Sequence, residues 1–89
     1  MSEFDPAKDE ANIAKHGVSL TLAFEMDPDL MITFEDGRFA YSEDRWISIG
    51  PIEDDLFVLA HTYRCDRIRP ISLRRAEKHE RKLYRESWT

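Results

Sequence analysis

Residues 56–73 read Leu56-Phe-Val-Leu-Ala-His-Thr-Tyr63, Arg64-Cys-Asp-Arg67, Ile68-Arg-Pro-Ile-Ser-Leu73. The first eight are apolar nearly throughout, as expected of a central strand covered on both faces. Arg64 to Arg67 makes a tight connection, and a second strand runs from Ile68 to Leu73. Pro70 has no N–H to give a ladder, so this second strand lies near a sheet edge or carries a bulge. Upstream, Leu30 to Phe34, the turn Glu35-Asp36-Gly37-Arg38 and Phe39 to Tyr41 read as a strand, a turn and the start of a return strand. Arg45-Trp-Ile-Ser-Ile-Gly50 continues that return past a bulge or short loop at Ser42-Glu43-Asp44.

Helices flank the strands. Asp5 as N-cap, Pro6 at the first helical position and Gly17 as a left-handed stop predict a helix over 6–16, with Ala7, Ala11 and Ala14 on its packing side. Ser19 can cap a short second helix through about Met26, with Leu20, Ala23 and Phe24 turned to the core. The segment from about Ala76 to Glu86 is a charged helix with Leu83, Tyr84 and Trp88 available to pack. The expectation is an α+β fold: two N-terminal helices, a twisted antiparallel sheet of about four strands, and a C-terminal helix.

A chain of 89 residues holds one domain, residues 1–89, because two would each lack a core. With 42% hydrophobic and 35% charged residues it is composed like a small globular protein, not a disordered one. No apolar run approaches the roughly 18 residues of a membrane span, and the Ser-Glu-Phe-Asp start lacks the regions of a signal peptide, so a cytoplasmic protein is expected. Cys65 is the sole cysteine, which excludes an internal disulfide, and the histidines and acids show no recognised metal spacing. No metal or other cofactor is expected.

The formal charge of −5 hides an asymmetry. Residues 1–55 carry 14 acids against 4 bases, net −10, whereas residues 56–89 carry 9 bases against 4 acids, net +5. Either the basic half meets an external anion, such as nucleic acid or an acidic partner, or the two halves pair within the fold.

Asp5-Pro-Ala-Lys8, Asn12-Ile-Ala-Lys-His-Gly-Val-Ser19, Arg45-Trp-Ile-Ser-Ile-Gly50, His61-Thr-Tyr-Arg64 and Arg67-Ile-Arg-Pro-Ile-Ser-Leu-Arg-Arg-Ala76, with Glu80 and Tyr84, resemble in order and spacing the BrnT family of bacterial type II toxins. Pro70, in place of an aliphatic strand residue, and Leu73, in place of a small one, depart from the family pattern. The resemblance implies a RelE-like domain with endoribonuclease activity that inhibits translation. It also implies a cognate ribbon-helix-helix antitoxin, a toxin2–antitoxin2 heterotetramer, and DNA contact only through the antitoxin.

Cleavage of RNA by its own 2′-hydroxyl needs a base for that proton, cations for the crowded phosphate and an acid for the leaving oxygen, and no metal. His61 suits proton transfer by type, although a histidine in an apolar strand is also commonly a hydrogen-bonded core residue. Arg64, Arg67, Arg69, Arg74 and Arg75 are the phosphate candidates, the alternative being a solvated or acid-paired surface. Regular alternation sets Arg67 and Arg69 with Ile71 and Leu73, and Ile68, Pro70, Ser72 and Arg74 on the other face. Glu80 and Tyr84, four apart on a helix, are neighbours that form either an acid-base pair or a packed tyrosine beside a carboxylate. Lys15 and His16 either serve a site through the helix end or complement its dipole. The candidate catalytic set is therefore His61, Arg64, Arg74, Glu80 and Tyr84, and the candidate RNA-binding set is Lys15, Arg67, Arg69 and Arg75. The competing function is a non-catalytic binding module that docks a protein or nucleic acid through the basic half.

Overall fold

The structure, a computed structural model, describes residues 6–36 and 45–88, with the backbone alone at Arg64. The expected Asp5 cap, the turn at Gly37, the return strand at Phe39–Tyr41 and the loop at Ser42–Asp44 lie outside the described residues. In chain order the elements are α1 (Pro6–His16), a 3-10 helix (Leu20–Glu25), β1 (Ile32–Glu35), β2 (Trp46–Ile52), β3 (Asp55–Arg64), β4 (Arg67–Arg75) and α2 (Lys78–Ser87). The strands form one antiparallel sheet in the order β1-β2-β3-β4, so the α+β expectation holds. Gly17, at φ 77°, closes α1 as expected and donates to the Ile13 carbonyl at 2.8 Å. Cys65 and Asp66, at φ 53° and 66°, supply the two left-handed positions of the tight β3–β4 turn.

The alanines do not mark the packing side of α1. Ala7, Ala11 and Ala14 are exposed, and the helix buries Asn12 instead. Asn12 Nδ2 donates to the carbonyls of Val18 and Leu73, each at 2.8 Å, while Leu73 N–H donates to Asn12 Oδ1 at 3.0 Å. The amide thus occupies the outer edge of β4 as a neighbouring strand would, satisfying both backbone groups of Leu73. Asp9 adds a second polar hook, its Oδ1 accepting from Ser19 Oγ at 2.8 Å and from Leu20 N–H at 2.6 Å. Ser19 in turn caps the 3-10 helix by accepting from Thr21 N–H.

One sheet face packs Phe57, Leu59, Leu73 and Ile52 against Leu20, Ala23 and Met26. A smaller cluster of Ile49, Val58 and Ala76, with Tyr84 packed on it, covers the other, so β3 is enclosed on both sides as its composition predicts. Phe24, expected in the core, is 56% exposed. The reason is the helix period: at three residues per turn Leu20, Ala23 and Met26 eclipse one another, and Phe24 is rotated away. Leu83 and Trp88 are also exposed, leaving Tyr84 as the partly buried aromatic of α2. Gly50 is fixed by space, since a Cβ there would lie 2.8 Å from Met31 Cβ and 3.1 Å from Met26 Cγ. Gly50→Ala is expected to lower stability by about 1–3 kcal/mol, read as an earlier thermal transition.

The feature that arranges the site is a bulge. Ala60 pairs with Ser72, but His61 pairs with Pro70, so Ile71 is the extra residue of β4. Pro70 therefore sits both on an edge strand and at a bulge. The extra residue reverses the alternation beyond it. Arg67 and Arg69 consequently share a face with Ser72 and Arg74, opposite Thr62, Ala60 and Val58, whereas Ile68, Pro70, Leu73 and Arg75 face the other way. The expectation that Arg74 opposes Arg67 and Arg69 is corrected by that one inserted residue.

Candidate functional site

Arg74 anchors the arginine face. Its Nη1 and Nη2 donate to Glu80 Oε1 and Oε2, both at 2.7 Å, a bidentate pair between β4 and α2. Glu80 Oε1 also accepts from Glu77 N–H at 2.8 Å, so one carboxylate caps α2 and orients the guanidinium. Hydrogen bonding from Arg74, reinforced by the Glu77 amide, holds the Glu80 carboxyl below its ordinary range. Arg67 and Arg69 make no ion pair with another described residue. Arg64 closes the hairpin, its backbone paired with that of Arg67. Arg75 is separated from this set: it points to the opposite face, with Nε 3.4 Å from Asp55 Oδ2 and its guanidinium 5.5 Å from the Phe57 ring centroid. Asp55 also binds Arg81 at 2.7 Å, so part of the basic half is neutralised within the fold.

Between α1 and β4 lies a cleft of about 260 Å³ lined by Lys8, Asn12, Lys15, His16, Ile71 and Ser72. Ser72 belongs to the arginine face, so the cleft and that face adjoin. Burial, then Lys15, then Arg74 lower the pKa of His16, favouring neutral imidazole. Across Arg74 a second groove of about 310 Å³ has an apolar floor of Ile47, Ile49 and Val58. Glu77, His79 and Glu80 bring possible metal-ligand atoms within 4.8 Å of one another, a grouping the sequence reading did not pick out. Both Glu80 oxygens are engaged with Arg74, so a cation there would compete with that pair.

His61 and Tyr84 stand apart from these groups. His61 is 0% exposed on the sheet face opposite Arg74. Its Nε2 bonds Ser48 Oγ at 2.8 Å, and Ser48 bonds Thr33 Oγ1 at 2.7 Å, a chain running across three strands. Its Nδ1 has no hydrogen-bond partner among the described residues, and burial lowers its pKa to about 4. Unfolded His61 titrates near 6.5, so on acidification the unfolded chain takes a proton before the folded one does. The contribution is complete above pH 6.5 and is lost as pH falls toward 4. Urea titrations are expected to show stability falling by about 3 kcal/mol across that window, with the slope much reduced in His61→Gln. Tyr84 does not reach Glu80 as a partner; its hydroxyl donates to the Leu30 carbonyl and ties α2 to the segment before β1.

Of the candidate residues, then, Arg67, Arg69 and Arg74 share one face with Glu80 behind Arg74, and Lys15 lies in the adjoining cleft. His61 and Arg75 lie on the opposite sheet face, and Tyr84, packed on the same side as Arg74, gives its hydroxyl to the Leu30 carbonyl. Ser72 keeps the face of Arg74 that regular alternation gives it, and the bulge brings Arg67 and Arg69 round to join it; Pro70 was the available signal. The family described as the ribonuclease toxin BrnT of type II toxin-antitoxin systems matches residues 4–80. The chain belongs to the BrnT family. The match takes in α1, the whole sheet and Glu80, and so includes every element of the arginine face and the cleft. No curated protein matches the chain. A BrnT chain is a ribonuclease toxin whose partner is an antitoxin and whose substrate is RNA. No helix among the described residues is long and apolar enough to cross a membrane.

Proposed function

We propose that this toxin is a metal-independent endoribonuclease that inhibits translation, using the arginine face of β4 to bind and stabilise the scissile phosphate. The observation that carries this reading is the Ile71 bulge, which aligns Arg67, Arg69 and Arg74 on one side of an edge strand. Guanidinium groups stay charged and offer paired donors, the chemistry that a pentacoordinate phosphate needs. Glu80 holds the Arg74 fork, and Lys15 extends the positive surface past Ser72. Arg64, at the hairpin end, remains a phosphate candidate by residue type and position in the chain. Burial and a depressed pKa favour a structural role for His61 over proton transfer, and the Leu30 bond favours the same for Tyr84. Arg75, turned toward Asp55, is better suited to the fold than to RNA.

A ribbon-helix-helix antitoxin is proposed to neutralise the toxin in a two-plus-two complex, with DNA contacted by the antitoxin alone. The acidic first half, net −10 over residues 1–55, supports that division because it is poorly suited to lie along phosphates. The test is direct: Arg67→Ala/Arg69→Ala should weaken RNA binding, flatten its salt dependence by about two charges and lower cleavage at least tenfold. Unchanged binding and cleavage in that variant would reject the face. Salt-sensitive binding without cleavage by the unmodified protein would favour a binding module.

A further inference from the structure

The proposed cleavage requires a group to take the 2′-hydroxyl proton; among the described residues of the arginine face the guanidiniums stay protonated and Glu80 is bound to Arg74 at both oxygens, while Glu35, Asp36 and His79 line the groove across Arg74, which Ser72 and Lys15 do not reach. His61 is enclosed on the other side of the sheet. His16, by contrast, ends α1 in the cleft that opens beside Ser72, next to Lys15 and within electrostatic reach of Arg74.

Resting on the ribonuclease reading, we propose that His16 is the general base of this toxin, working from the cleft between α1 and β4. The imidazole takes the 2′-hydroxyl proton as O2′ forms its bond to phosphorus. The P–O5′ bond breaks, leaving a 2′,3′-cyclic phosphate, and the departing O5′ takes a proton from water in the open cleft. Imidazolium then returns its proton to solvent, so no co-reactant is needed.

Two features of the fold favour this assignment. Asn12, one turn earlier in α1, clamps the helix to Leu73 through both its amide atoms, which fixes where His16 sits relative to Ser72 and Arg74. Burial, Lys15 and Arg74 keep the free imidazole neutral and able to accept a proton, while a bound phosphate would offset those cations as imidazolium forms. Among the described residues, the charged groups around it are Lys15 and Arg74, which act on it electrostatically, and Lys8, which lines the same cleft.

The test compares the purified protein, His16→Ala and His16→Gln on a short RNA in chelator. His16→Ala should cleave about 100-fold or more slowly, bind the RNA within about twofold, melt as the unmodified protein does, and recover part of its rate with added imidazole. His16→Gln should be equally slow without recovery. Cleavage within about threefold of normal in His16→Ala would overturn the assignment, and so would loss of rate that tracks loss of folding and ignores imidazole. If the unmodified protein cleaves no RNA, it is the ribonuclease reading itself that fails.

Discussion

Asn12→Ala is expected to be the most destabilising single substitution at an exposed-looking helix in this protein. The side chain is 5% exposed and supplies three hydrogen bonds, two to Leu73 and one to Val18. Removing it strips the partners from the outer N–H and C=O of an edge-strand residue whose side chain is in the core. Leaving such groups unpaired costs about 1–3 kcal/mol each where water does not replace the bond. The adjoining cleft admits some water, so a total near 3 kcal/mol is expected, or a fall in melting temperature of about 15 °C. Asn12→Asp should be nearly as severe, because a carboxylate cannot donate to the Leu73 and Val18 carbonyls. Thermal unfolding checks both; a shift under about 3 °C in Asn12→Ala would mean that α1 is held by something other than this clamp.

Arg74→Ala should have the largest effect on activity. Among the described arginines of the face, Arg74 is the one held by a two-point contact with a largely buried carboxylate, and rigid charges stabilise developing charge best. Losing such a donor costs about 100- to 1000-fold in rate. The same change leaves Glu80 without its main partner, so some stability is lost as well. The two effects separate in a double variant: Arg74→Ala/Glu80→Gln, which keeps an acceptor for the Glu77 N–H and leaves no unpaired carboxylate, should recover melting temperature relative to Arg74→Ala while remaining inactive. Recovery of RNA cleavage in the double variant would show that Arg74 served the fold and not the phosphate.

The architecture was legible because it depends on local signals. Gly17 and Ser19 marked helix ends, and the apolar run Leu56–Tyr63 marked a strand covered on both sides. Side-chain direction was less legible. Three alanines suggested a packing stripe on α1, but contact is made by a polar residue whose hydrogen bonds join positions 61 apart in sequence. Phe24 was assigned inward on a 3.6-residue period that a 3-10 helix does not follow. The arginines were divided between two faces by an alternation that holds only without a bulge, and Pro70 signalled a bulge without fixing where the extra residue falls. The family resemblance was carried by short runs within helices and strands, and it survives these errors because their order along the chain is unchanged.

Cleavage of a defined RNA by the purified toxin, freed of antitoxin and held in excess EDTA, is the measurement closest to the central claim. The expected result is scission inside the chain, products bearing 2′,3′-cyclic phosphate, a rate unchanged by added magnesium, and loss of activity in Arg74→Ala. RNA that stays intact in chelator and is cut only when a divalent cation is restored would contradict the account, and would turn attention to Glu77, His79 and Glu80.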